Sequence, residues 1–309
     1  MAAAKAPDRV AIETPERRLT YSEVWEAAVG AAGALERLGV RAGDRVALAL
    51  PPGEEFVVAM HGSLALGAAA VPIDLRLTDA ERAQRRAGAE VVVSEPLRGS
   101  LAGQPARPAG GGGSDAAVVL GGGGSDAPIV LGGGPSDAAI VPGGGSYAAI
   151  VHTSGTTAAP KPVPLTDGNF LASALGSAVA LGLDQNERWL CPMPLTHVGG
   201  LSIPIRSAIY ATTAVLHGRF DTEAVLNELM DPARRITLVS LVPTMLARLL
   251  DAGLERPPTL RWALLGGGPI APALLERARL SHVPVAPTYG MTGRARRSPR
   301  SGGRCPASS

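Results

Sequence analysis

Apolar positions in the first ninety residues switch repeatedly between a helical and a strand-like spacing. Thr20 and Glu23 stand three residues apart, the spacing at which each side chain can serve the other's backbone N–H at a helix start. Val24, Ala28, Leu35 and Leu38 then fall on one helical face, and Gly39 ends the pattern. Arg45-Val-Ala-Leu-Ala-Leu50 reads as a strand closed by Pro51-Pro52, residues 54–66 as a helix, and 69–73 as a short strand. Thr78 and Glu81 repeat the capping spacing before a short charged helix, and Val91-Val-Val93 reads as a further buried strand. The alternation resumes at 147, with strands expected near 147–152, 188–191, 213–217, 237–240, 261–265 and 283–286. Helices are expected between them, among them 221–230 and 243–252. Strands alternating with helices imply right-handed crossovers and largely parallel sheets. The expected fold class is therefore α/β, a sandwich with two sheet-containing parts over residues 1–99 and 147–292.

Between those parts the pattern changes. From Gly110 the chain reads GGGGSDAAVVL, GGGGSDAPIVL, GGGPSDAAIVP and GGGSYAAIVHT, the first three units repeating every eleven residues. Fourteen of the 39 glycines lie between 110 and 145, so a flexible segment precedes each short apolar run. Two accounts stay open: tandem duplication of one linker-plus-strand unit, or a low-complexity linker over 100–146. The unit is too short for a helical solenoid.

Composition narrows the class. Hydrophobic residues make up 46% of the 309 but aromatics only 3%, so the core must rest on Ala, Val, Leu and Ile. Two cysteines, Cys191 and Cys305, exclude a disulfide scaffold and a cysteine-rich zinc module. With no export-signal pattern at the start, they point to a cytoplasmic protein. The longest uncharged apolar stretch, Phe56 to Ile73, carries His61, Gly62, Gly67 and Pro72, so no membrane span is expected. The net charge of +2 misleads, because residues 293–309 hold five of the 29 basic residues and no acidic one. The remainder is mildly acidic and gives no reason to expect nucleic acid as a partner. The segment 293–309 reads as a disordered basic tail.

The candidate chemistry begins at Ala148-Ala-Ile-Val-His-Thr-Ser-Gly-Thr-Thr-Ala-Ala-Pro-Lys161. An apolar strand leads into small hydroxyl residues and glycine, then a lysine. Such a loop can turn several N–H and O–H groups onto one anion, and the lysine adds a point charge suited to phosphate. The spacing is not that of the Walker loop. On residue types alone, such a stretch is more often an ordinary turn.

Thr153 to Lys161, TSGTT-x-x-PK, resembles the phosphate-binding signature of the adenylate-forming (AMP-binding) superfamily. Further resemblances follow in the superfamily's order: Leu19-Thr-Tyr21, Gly43-Asp-Arg-Val46, Gly67 to Pro72, Pro194-Leu-Thr-His-Val-Gly-Gly200, Gly266-Gly-Gly-Pro269 and Thr288-Tyr-Gly-Met-Thr292. They run from about residue 9 to 292, with the repeats as an insertion. Within the superfamily, HVGGLSIPIRSAIY, VLHGRFD, ITLVSLVPTMLARLLD and LLGGGPI are most similar to the o-succinylbenzoate–CoA ligase branch of menaquinone synthesis.

The resemblance implies the N-terminal part of the adenylate-forming fold. It also implies an acid–thiol ligase that makes an acyl-adenylate from ATP and then a thioester of coenzyme A, with Mg²⁺ offsetting phosphate charge. The partners implied are a small carboxylic acid, ATP and CoA, with a homo-oligomer left open. Thr153, Ser154, Gly155, Thr156, Thr157 and Lys161 would cradle the β- and γ-phosphates. Gly266, Gly267, Gly268 and Pro269 would line the adenine slot with Tyr289 against the base. Thr292 would reach the α-phosphate and His197 would sit at the acyl pocket, where Gly199 and Gly200 leave room for the acid. No metal ligand is assigned. Arg206 has two open readings, a partner for a second substrate carboxylate or a surface ion pair.

Three departures stand out. Ala158 replaces a glycine of the loop, and Pro162 removes an N–H there. Gly293 stands where the superfamily carries a glutamate. Nothing resembling the superfamily's small C-terminal domain and its catalytic lysine follows, so a truncated relative with impaired catalysis is expected. The alternative is a catalytically inactive ATP- or acyl-binding fragment.

Overall fold

The computed structural model describes residues 6–97, 99, 147–153, 160–290 and 292. The glycine-rich repeats and the basic tail lie outside the described residues. The order is β1 (Val10–Glu13), β2 (Arg18–Thr20), α1 (Tyr21–Arg37), β3 (Arg45–Leu48), α2 (Glu54–Ala65), β4 (Ala69–Pro72), α3 (Asp79–Arg85) and β5 (Val91–Val93). The chain continues with β6 (Tyr147–Thr153), β7 (Lys161–Thr166), α4 (Asp167–Leu181), β8 (Arg188–Cys191), α5 (Val198–Tyr210), β9 (Thr213–Leu216) and α6 (Thr222–Met230). It closes with β10 (Leu238–Leu241), α7 (Pro243–Asp251), β11 (Trp262–Leu265), α8 (Pro272–Leu280) and β12 (Val285–Pro287).

The expected α/β class is what forms. A seven-stranded sheet runs β12-β11-β10-β8-β9-β1-β2 and a five-stranded sheet runs β5-β3-β4-β6-β7. All neighbouring strands are parallel except the β1–β2 and β6–β7 hairpins. Both capping boxes read from the sequence start helices as expected. Thr20 Oγ1 accepts from the Glu23 N–H while Glu23 accepts from the Thr20 N–H at 2.7 Å, and Thr78 with Glu81 does the same for α3. Gly39, at φ +97°, provides the left-handed residue that follows the end of α1.

Two expectations need correction. Leu38 does not lie on the buried face of α1. The helix ends at Arg37, and Leu38 caps it with 57% of its surface exposed, whereas Val24, Ala28 and Leu35 are buried. Lys161 does not close a loop but opens β7, which pairs with β6 from Tyr147↔Thr166 to Thr153↔Lys161.

The N-terminal hairpin belongs to the seven-stranded sheet, where β1 pairs with β9, two hundred residues away. Buried Glu13 fixes it there, receiving Arg18 at 3.0 Å, Arg188 at 2.9 Å and Arg234 at 3.1 Å. The Tyr21 hydroxyl lies 2.6 Å from both the Ser207 and Thr212 carbonyls. One continuous core joins β1, β3 and β8 to α1, α2 and α5, so the helices between the sheets are shared by both. A second core fills the space around α6, α7 and α8.

Candidate active site

Strand order in the seven-stranded sheet reverses at β8: β9 follows it on one side and β10 returns on the other. In open α/β sheets, ligands bind beyond the carboxyl ends of the strands at such a reversal. The two strands are tied across it by the Trp189 indole N–H, which donates to Ser240 Oγ at 2.9 Å.

Four carboxyl ends converge here. β8 leads through Pro192–His197 into α5, and β10 through Val242 into α7. β11 leads into Gly266-Gly-Gly-Pro269, and β12 into Thr288-Tyr289. The glycine turn and Thr288 are pressed together: a Cβ on Gly266 would sit 2.3 Å from Thr288 Oγ1. Thr288 is anchored to β11 through its N–H to the Leu265 carbonyl at 2.7 Å. Gly267 has φ +78°, and Gly267, Gly268 and Pro269 are exposed, so the turn presents its backbone at the strand end. Tyr289 follows with 80% of its surface exposed, and Thr292 lies half-buried beyond it.

His197 is exposed at the N-terminus of α5, its N–H donating to the Pro194 carbonyl at 3.2 Å. Partial desolvation holds its imidazole below the usual value. The Asp74 carboxylate opposes this effect, and the positive charges of Arg76 and Arg85 add to it. Asp74 lies just past β4 of the other sheet, so the crevice has a wall from each sheet. Hydrogen bonds from Arg76, at 2.9 and 2.7 Å, bring the Asp74 carboxyl down to about 2. The Asp74–Arg76 pair was not read from the sequence, because a charged pair beyond a strand carries no spacing signal of its own.

Gly200 does not leave open space as expected. A Cβ there would meet the Pro194 carbonyl oxygen at 2.3 Å, so its missing side chain is what lets the Pro194–Gly200 turn close. Beside it, buried Thr196 Oγ1 has no hydrogen-bond partner. Arg206 is not a surface ion-pair residue. Its guanidinium lies 5.6 Å from the centre of the Trp189 ring and donates to Ser173 Oγ at 2.7 Å, while its buried Nε has no partner. Burial lowers the Arg206 pKa. A buried cation with no carboxylate paired to it among the described residues suits an anionic ligand.

The hairpin brings Thr153 and Lys161 face to face, with Thr153 Oγ1 donating to the Lys161 carbonyl at 3.4 Å. Thr153 is half-buried and Lys161 exposed. Ser154, Gly155, Thr156 and Thr157 lie outside the described residues. Thr153 and Lys161 thus stand in the five-stranded sheet, and Gly266–Pro269 and Tyr289 in the crevice of the seven-stranded one. Among the described residues, no group of three or more His, Cys, Asp or Glu side chains could hold a metal ion, and no helix is long and apolar enough to cross a membrane.

Comparison with known proteins gives a consistent picture. The family model for AMP-binding enzymes matches residues 1–293. The 2-succinylbenzoate–CoA ligase of Bacillus licheniformis is 36% identical over 256 residues, covering 82% of this chain and 50% of that protein. Bacillus subtilis o-succinylbenzoate CoA synthetase, solved with its acyl-adenylate intermediate, superposes with a TM-score of 0.75 at 31% identity over 95% of this chain and 74% of that one. The same enzyme solved with ATP and magnesium ion gives 0.74 at 30% identity, over 95% and 59% of the two chains. The chain spans about half the length of the curated relatives it matches.

Proposed function

The chain belongs to the AMP-binding enzyme family, and from that premise we propose that it forms the nucleotide- and acid-binding part of a cytoplasmic ATP-dependent acid–CoA ligase acting on o-succinylbenzoate in menaquinone synthesis. In the first step of that reaction a carboxylate oxygen attacks the α-phosphorus of ATP, and the bond to the bridging oxygen breaks with release of pyrophosphate. In the second, the thiol of CoA attacks the acyl carbon and AMP departs.

In this reading the exposed backbone of Gly266–Gly268 and Pro269 lines the adenine slot, and Tyr289 lies against the base. Thr292 reaches toward the α-phosphate. Thr153 and Lys161 flank the β- and γ-phosphates, and Ser154, Gly155, Thr156 and Thr157 join them by resemblance alone. His197 stands at the acid pocket. Arg206, a buried cation with no carboxylate paired to it among the described residues, would receive the second carboxylate of a dicarboxylic acid, and Thr196 Oγ1 offers a further unfilled bond. Mg²⁺ is commonly held by substrate phosphates with one or two carboxylates, and comes to this reading from the resemblance. When bound, Mg²⁺ offsets charge on the phosphates.

The observation that carries the reading is the close approach of Gly266 and Thr288 at the adjoining carboxyl ends of β11 and β12, which positions an open glycine turn beside Tyr289. Isothermal titration of the 309-residue chain with ATP–Mg²⁺, with and without o-succinylbenzoate, tests it. Saturable ATP binding that tightens with the acid is expected. No ATP binding under either condition overturns the reading. Pyrophosphate release, measured in parallel, separates turnover from binding alone.

A further inference from the structure

Next to the crevice, the outer face of the five-stranded sheet carries a polar site, whose Arg85 acts through its charge on both His152 and His197. Side chains alternate across a sheet. Val46, Leu48, Ala70 and Val151 therefore fill the core shared with α1 and α2, while Ala47, Ala69, Val71, Ile73 and Ile150 form a small apolar patch on the opposite side. His152 and Arg45 share the parity of that outer patch, as does Pro162, which pairs with His152. Thr153 and Lys161 have the inner parity. The C-terminal end of α3, with Gln84, Arg85 and Arg86, lies beside part of this outer face, and α3 has no buried residue of its own.

Between α3 and the sheet lies a cavity of about 240 Å³. Val71, Ile150 and Pro162 floor it, and Arg45, Arg85, Arg86 and His152 bring cationic or protonatable groups to its walls. No carboxylate is among its described lining residues. Two polar atoms buried there, Arg85 Nε and His152 Nδ1, have no hydrogen-bond partner. Among the described residues no ion pair neutralises Arg85. The nearby Glu81 carboxylate feels the Arg85 charge, but its hydrogen bonds come from the Thr78 N–H and hydroxyl, at 2.9 and 2.7 Å. Desolvation and then the charge of Arg85 lower the His152 pKa. The pocket therefore has an excess of positive charge and two unused polar atoms, which together cost stability until an anion supplies the missing partner.

We propose that this furrow between α3 and the outer sheet face is a binding site for a phosphate-type oxyanion held by Arg85 and His152. Arg85 would present its guanidinium fork to two oxygens. His152 would hydrogen-bond a third, and any organic substituent would cover Val71 and Ile150. The two sites use different side chains, because Lys161 and Thr153 have the other parity on the sheet, but they adjoin: the Arg85 charge also reaches His197.

The test titrates the full 309-residue chain, labelled at histidine, with inorganic phosphate and separately with phenyl phosphate, following the His152 ring resonances by NMR. A saturable shift of the His152 resonances is expected. Arg85→Gln should weaken it by about tenfold or more, Arg85→Lys by less, and Lys161→Ala should leave it unchanged. Conversely, Lys161→Ala should weaken ATP binding while Arg85→Gln leaves it intact, so failure of one site is read separately from failure of the other. Melting of the phosphate-free variants, expected to match the parent, confirms folding. Tighter binding of phenyl phosphate assigns the site to organic phosphates, and equal affinity assigns it to the free ion. The proposal is overturned if His152 does not respond to either anion, or if Arg85→Gln binds as the parent does.

Discussion

Gly266 is the residue on which the proposed nucleotide slot turns. Gly266→Ala would drive a methyl group into Thr288 Oγ1, which lies 2.3 Å from the Cβ position, and toward the Thr288 carbonyl at 3.2 Å. The strand end must then part. ATP binding, measured by calorimetry, should weaken by about tenfold or more, with a stability loss of about 1–3 kcal/mol. Unchanged affinity would remove the turn from the site. Asp167 gives a prediction in pH. Burial in the first turn of α4 pushes its carboxyl up from 3.8 to about 6. The unfolded chain releases that proton more easily, so the fold loses stability as pH rises from the unfolded to the folded value. Asp167→Asn should therefore gain on the parent by on the order of 2 kcal/mol between about pH 4 and pH 7. Urea denaturation at both pH values checks it; a pH-independent difference would contradict it. Residue types in the glycine turn and at Tyr289 were legible in the sequence. The fate of Arg206 was not, because a lone arginine on a helix does not disclose which side faces Trp189.

Among the elements, α1 and α2 approach most closely where side chains are smallest. Ala27, Ala28, Ala31 and Ala32 face α2, and a Cβ on Gly62 would lie 2.8 Å from Ala31 Cβ, 3.0 Å from Ala32 N and 3.1 Å from the Ala28 carbonyl. Backbone atoms cannot swing aside as a flexible side chain can. Gly62→Val should thus cost about 3 kcal/mol, near the upper end for overpacking, as a lowered urea midpoint. A midpoint within error of the parent would show that the helices can separate freely. Helix starts were readable wherever a Thr-x-x-Glu box stood. The box of α4 pairs Thr166 with Asn169, and Asn is a weaker signal than Glu at that place. β7 was hidden by Pro162 and Pro164, which are tolerated because β7 is an edge strand whose outer N–H positions need no partner.

For the whole molecule, buried Glu13 links the N-terminal hairpin to Arg188 of β8 and to Arg234 beyond α6. Only 2% of its side chain is exposed, and it gathers Arg18, Arg188 and Arg234. Glu13→Gln keeps the shape and removes the charge that these three arginines share. A loss of about 3 kcal/mol is expected in denaturant unfolding, as for breaking one side of a buried ion pair. A loss below about 0.5 kcal/mol, typical of an ordinary surface change, would show that the network is incidental.

The sequence by itself determined what is local: where helices begin, which runs are strands, where glycine permits a turn, and the order of motifs that identifies the family. Those properties depend on spacing and on each residue's own backbone preference. Tertiary structure alone decided that β1 joins β9, that strand order reverses at β8, and that Arg206 Nε and Arg85 Nε are buried with no hydrogen-bond partner among the described residues. Strand pairing runs through backbone N–H and C=O groups that nearly every residue carries, so residue identity does not name the neighbour. A charge gains its meaning only from what packing places beside it.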